Sequence, residues 1–186
     1  MNPTREEAFA LLTKYNETES LVKHALAVEA VMRHFAEIHN EDVEKWGIIG
    51  LLHDLDYEKY PEEHCVMTRK IMEEDKWPED YIRSIESHAW GMRTDVKPEH
   101  IMEKVLYATD ELTGLINATA LMRPSKSILD LEVKSVKKKW KNKKFAAGAN
   151  REVILNGVEM LGAELDYIIL ETINGMKKVA EEIGLA

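Results

Sequence analysis

The chain has 186 residues, 45% of them hydrophobic, with a formal net charge of −9 and one cysteine. That length and apolar content suffice for a core without staples, and Cys65 alone excludes an intramolecular disulfide. The acidic balance argues against broad nucleic-acid binding, and no apolar run approaches the roughly 20 residues a membrane-spanning helix needs.

Nearly every segment carries a helical period and none alternates between hairpin turns, so the expected fold class is all-α. Thr4 and Glu7 have capping-box spacing and open a short helix that runs to about Tyr15. Thr18 opens a longer one. On it Leu21, His24, Val28, Val31, Phe35 and Ile38 recur at three- and four-residue steps, while Glu29, Arg33 and Glu37 fall on the far side. His24 is therefore expected to point inward. Asn40 suits the cap of a third helix, which ends on the run from Gly47 to Asp54. That run is apolar on nearly every side until it delivers His53 and Asp54 together, and Gly47 and Gly50 would admit a neighbouring backbone.

A polar linker from Asp56 to Pro61 leads to a fourth helix, with His64, Met67 and Ile71 on one face. Pro78 suits the first turn of a fifth, on which Tyr81, Ile85 and His88 align. Gly91 and the polar stretch to Lys97 break that helix. Pro98 starts a sixth, which stacks Met102, Leu106 and Asp110 at four-residue steps. Arg123 and Pro124 end it, a short helix is expected from Ser127 to Trp140, and Asn150 suits the N-cap of a long C-terminal helical region. That region reaches about Gly184 and is interrupted near Gly157 or Gly162. The expected organisation is one domain over 1–186, with a core at about 18–122 and a helical extension at about 123–186.

Four helices thus present an inward metal-ligand type: His24, the adjacent His53 and Asp54, His88, and Asp110, with His64 on a fifth. A carboxylate at the mouth of an apolar helix is costly unless paired or metal-bound. Imidazoles mixed with carboxylates suit divalent transition metals, and helical bundles build core metal sites from ligands on different helices. Taken singly, each His reads more plainly as a core residue bonded to a carbonyl. Together, His24, His53-Asp54 and Asp110 resemble the pattern of the HD superfamily of metal-dependent phosphohydrolases over roughly residues 20–116. They are also similar to its HDIG branch, in which two further histidines bind a second metal, and His64 and His88 stand where those would be.

The resemblance implies an HD-domain-like helical bundle that cleaves a phosphate monoester or diester of a small molecule, such as a nucleotide, by a metal-activated water. It implies His53 and Asp54 as the catalytic centre. It implies one or two divalent cations from among Mn, Fe, Co, Ni, Zn and Mg, with Asp54 placed to bridge two. The chain departs from the branch at Leu55-Asp56-Tyr57, where a lysine that assists the phosphate is absent, and Lys59 is the substitute at hand. Two other readings compete: an HD-type di-iron oxygenase, and a metal-stabilised nucleotide-binding module without turnover.

The dense basic run from Lys134 to Lys144, with Trp140 inside it, reads first as a solvated face. Its functional alternative draws a phosphorylated substrate to the site through Lys137 and Lys144, helped by the N–H groups of the helix that begins at Asn150. Asp56 and Glu111 read as exposed acids, or else as groups that orient an imidazole or a water. Cys65 is expected to point away from the site as an inert thiol, and His34, His39 and His100 to lie at the surface. No basic and apolar leader opens the chain, so a cytoplasmic location is expected, and an exposed helix face would allow a homodimer.

Overall fold

The computed structural model describes residues 2–186. Nine α-helices follow one another among them: α1 (Arg5–Tyr15), α2 (Glu19–His39), α3 (Val43–Leu52), α4 (Val66–Glu74), α5 (Glu79–Glu86), α6 (Ile101–Leu121), α7 (Val133–Trp140), α8 (Arg151–Met160) and α9 (Leu165–Lys177). Short 3-10 turns at Pro61–Glu63 and Ser87–Ala89 precede α4 and follow α5. The described residues contain no strand, only an isolated bridge between Trp90 and Thr94. The all-α expectation holds. Among the described residues no helix is long and apolar enough to cross a membrane.

The two longest helices, α2 and α6, form the centre. α3 and α9 pack on α2, and α8 and α9 pack on α6. α3 is buried from Trp46 to Leu52, as its all-round apolar character requires. Gly50 sets the α2–α3 approach: a Cβ there would lie 3.0 Å from the Val28 carbonyl oxygen. Gly47 clears a side chain, Arg33, instead of a backbone. The capping box of α1 forms as expected, and Asn150 caps α8 by accepting the N–H groups of Glu152 and Val153.

Several local expectations are corrected. Glu29 is buried, because Arg5 at 2.6 Å and Arg33 at 3.0 Å neutralise it on the face assigned to solvent. Asn40 ends α2 in a left-handed conformation, and Asp42 caps α3 through the Lys45 N–H. α6 starts at Ile101, three residues after Pro98, because His100 and Glu103 form its capping box. The segment 127–132 is not helical; the Ser127 hydroxyl bonds the Leu185 carbonyl instead. The C-terminal region divides at Gly162, which adopts φ +61°.

Candidate metal centre

The site lies where the ends of α3 and α5 meet the flanks of α2 and α6. A helix leaves its last carbonyls without intrahelical partners, and this chain uses two of them to hold histidines. His53, the residue after α3, turns its ring back so that Nδ1 donates to the Gly50 carbonyl at 2.8 Å. His88, on the turn after α5, does the same to the Ile85 carbonyl at 2.5 Å. His64 donates from Nδ1 to Asp56 Oδ1 at 2.7 Å, and Asp56 is fixed in turn by the Thr68 N–H at 2.8 Å. An acceptor at Nδ1 fixes the tautomer and leaves Nε2 bare for a cation, the usual support of a metal-ligating imidazole.

Those bare nitrogens converge on carboxylates. His53 Nε2 stands 3.1 Å from Asp110 Oδ1 and 3.3 Å from Asp54 Oδ2, and His24 Nε2 stands 3.0 Å from Asp110 Oδ1. The second oxygen of Asp54 faces the other way, 3.4 Å from His64 Nε2 and 3.7 Å from His88 Nε2. One ligand atom from each of His24, His53, Asp54 and Asp110 fits within 4.8 Å of the others, as does one from each of His64, Cys65 and His88. His53 is fully buried, and its Nε2 has no hydrogen-bond partner. Imidazole nitrogens turned on carboxylate oxygens in a buried place call for a proton or a cation between them, so the donor set fits a metal.

The electrostatics say the same. Burial alone would push His53 down, yet the facing Asp54 and Asp110 carboxylates hold it well above its ordinary value. Burial would raise Asp54 and Asp110; His53 outweighs it at both, joined by His88 at Asp54 and by His24 at Asp110, and both carboxyls stay well below the usual range. Glu111 goes the other way. Burial and the neighbouring Asp110 charge lift it to about 7, against the N–H that Asn150 donates to its Oε2 at 3.2 Å.

The six predicted ligand residues are thus brought together, with two corrections. His64 lies in the loop before α4, not on it. Cys65 is fully buried and turned toward the His64 and His88 nitrogens, because its backbone takes a left-handed φ of 70° at the entry to α4. Asp56 is likewise not an exposed acid but a buried anchor for His64. His34 is half-buried against Glu171 at 2.6 Å, while His39 and His100 are exposed as expected.

A cavity of about 460 Å³ opens onto the cluster. None of the three candidate lysines lines it. Lys59 donates to the Lys14 carbonyl at 2.7 Å, Lys137 pairs with Asp166, and Lys144 is exposed on the loop after α7. That loop reaches the cavity through its small residues Ala146, Gly148 and Ala149, and the cationic side chain at the wall is Arg93. Tyr57, Ala89, Met92 and Gly114 complete the lining that the sequence did not single out. Gly114 carried a signal, since it stands one turn after Asp110 on α6.

The model of the HD domain matches residues 21–115, just over half of the chain and the segment that carries all six clustered residues. No curated protein and no solved structure matches. The chain belongs to the HD domain family, the superfamily of metal-dependent phosphohydrolases.

Proposed function

We propose that this chain hydrolyses a phosphate ester of a small molecule; His24, His53, Asp54 and Asp110 would hold one divalent cation, and His64, His88 and Asp54 a second. The observation that supports this most is the imidazole set. His53, His64 and His88 each commit Nδ1 to a protein acceptor and turn a bare Nε2 toward the Asp54 and Asp110 carboxylates. When bound, such cations acidify a water and neutralise the charge that develops on phosphorus.

The remaining work falls to the chain. The carbonyls at the ends of α3 and α5 fix His53 and His88 before a ligand arrives, which avoids reorganisation during reaction. Buried Asp56 orients His64 in the same way. Glu111 lines the cavity beside Asp110, and with its carboxyl lifted to about 7 by burial and the Asp110 charge it can take up or release a proton near neutral pH, within the cavity that would receive a leaving group.

The test is a panel of phosphate monoesters and diesters offered to protein loaded with Mn, Co, Ni or Fe. At least one ester should be cleaved, and His53→Ala and Asp54→Ala should abolish turnover while circular dichroism shows the helical fold retained. Oxygen consumption by the iron-loaded protein, with no phosphate released from any ester, would replace hydrolysis by oxidation.

A further inference from the structure

Five glycines lie inside helices: Gly47, Gly50, Gly114, Gly157 and Gly175. Glycine is the poorest helix former after proline, so each needs a reason. Four have one. A Cβ at Gly47, Gly50, Gly157 or Gly175 would lie within 2.8 Å of an atom of a packed neighbour. Gly114 does not: in the middle of α6, with ordinary helical backbone, a Cβ there would meet nothing within 4 Å. Its missing side chain faces the cavity, one turn beyond Asp110. Gly148, also in the lining, shows the same emptiness.

The cavity's charges are as uneven as its walls. Asp54, Asp110 and Glu111 are in its lining, and Arg93 is its cationic side chain, exposed and with no ion-pair or hydrogen-bond partner for its guanidinium among the described residues. Arg93 is not on a loose segment. Its N–H bonds the Ala89 carbonyl at 2.9 Å, and the Thr94 hydroxyl ties the same turn to the Glu86 carbonyl at 2.9 Å.

We propose that Gly114 is a specificity-determining residue whose missing side chain, together with that of Gly148, leaves a slot for the organic part of a phosphate ester, and that Arg93 takes a second anionic group on that ester. The substrate class is therefore an organic phosphate that carries a carboxylate or a further phosphoryl group. This rests on the phosphohydrolase reading above. A guanidinium with no internal partner is suited to a bidentate grip on such a group.

The experiment compares three probes on the metal-loaded full chain: inorganic phosphate, p-nitrophenyl phosphate and p-carboxyphenyl phosphate. Binding is read by calorimetry and turnover by phosphate release. Gly114→Leu should weaken both aryl phosphates about tenfold more than inorganic phosphate, and Arg93→Gln should weaken the carboxyphenyl ester about tenfold more than the nitrophenyl ester, with Arg93→Lys recovering part of the loss. Gly114→Ala should melt above wild type, since its methyl enters open space and removes a helix glycine, which shows that position 114 tolerates a side chain. Equal weakening of all three probes by Gly114→Leu, or of both esters by Arg93→Gln, would overturn the proposal. A wild type that binds the esters and cleaves neither sinks the hydrolase reading, while the binding ratios still decide the slot. Cleavage by wild type with unchanged ester binding in Gly114→Leu sinks the slot alone.

Discussion

His64 Nε2 stands 3.3 Å from His88 Nε2, and both rings have Nδ1 committed to a fixed acceptor. Two lone pairs therefore face each other in a buried place, with Asp54 Oδ1 within 3.7 Å of both. A proton can sit in that arrangement, and a cation can take its place. Because the other oxygen of Asp54 serves His24 and His53, the carboxylate divides the site into two halves that share one residue.

Metal stoichiometry should follow that division. His64→Ala and His88→Ala are each expected to lower bound metal from about two per chain toward one, whereas Asp54→Ala should lower it toward zero. Elemental analysis of protein purified without chelator reads the result. Unchanged stoichiometry in both histidine variants would remove the second cation.

Metal uptake should expel protons. His53 is held well above its ordinary value and His88 is raised, in each case because nearby carboxylates outweigh burial, so the metal-free site favours protonated imidazoles whose protons a cation must displace. The sign for stability follows. A raised folded pKa stabilises the metal-free fold below the unfolded value of 6.5, and that contribution is lost as pH rises through the folded value. Calorimetric titration in buffers of different ionisation enthalpy should show net proton release. A binding enthalpy that does not change with buffer would count against protonated imidazoles.

Much of this was legible in the chain because burial leaves a periodic trace. His24, His53, Asp54 and Asp110 stand on or beside apolar stripes, and the resemblance that they carry places them at one point, where the structure also has them. What periodicity could not reach were features set by tertiary partners. Glu29 looked solvent-facing until Arg5, from another helix, covered it. His64 looked helical, but Cys65 breaks the backbone beside it. The lysines drew attention by their number, yet local partners hold Lys59 and Lys137, and the cavity wall is built of small residues without any chemical signature.

Asp56 would act on the proposed second cation through His64. It is fully buried, accepts the His64 Nδ1–H at 2.7 Å and is pinned by the Thr68 N–H. Asp56→Ala is expected to weaken binding of the second cation about 10–100-fold and leave the first nearly unaffected, with Asp56→Asn intermediate. Competition titrations with a chromophoric chelator resolve the two affinities. Equal loss at both sites would mean that Asp56 serves the fold generally and not His64 in particular.

Glu103 gives a test of stability away from the metal. Only 3% exposed, it pairs closely with Arg83 and accepts the N–H groups of Glu99 at 2.7 Å and His100 at 3.1 Å, joining the start of α6 to α5. Burial alone would raise its carboxyl, but the Arg83 pair and the two N–H groups outweigh it and leave the value below the usual 4.5. A depressed folded pKa contributes stability that is present above the unfolded value and lost as pH falls through the folded one. Glu103→Gln should therefore cost about 2 kcal/mol at about pH 7, where charge-assisted bonds are exchanged for neutral ones. The gap between wild type and variant in denaturant unfolding should narrow on moving from about pH 5 to about pH 3, because only the wild-type residue takes up a proton. A gap of constant size across that range would place the effect in packing and not in the charge.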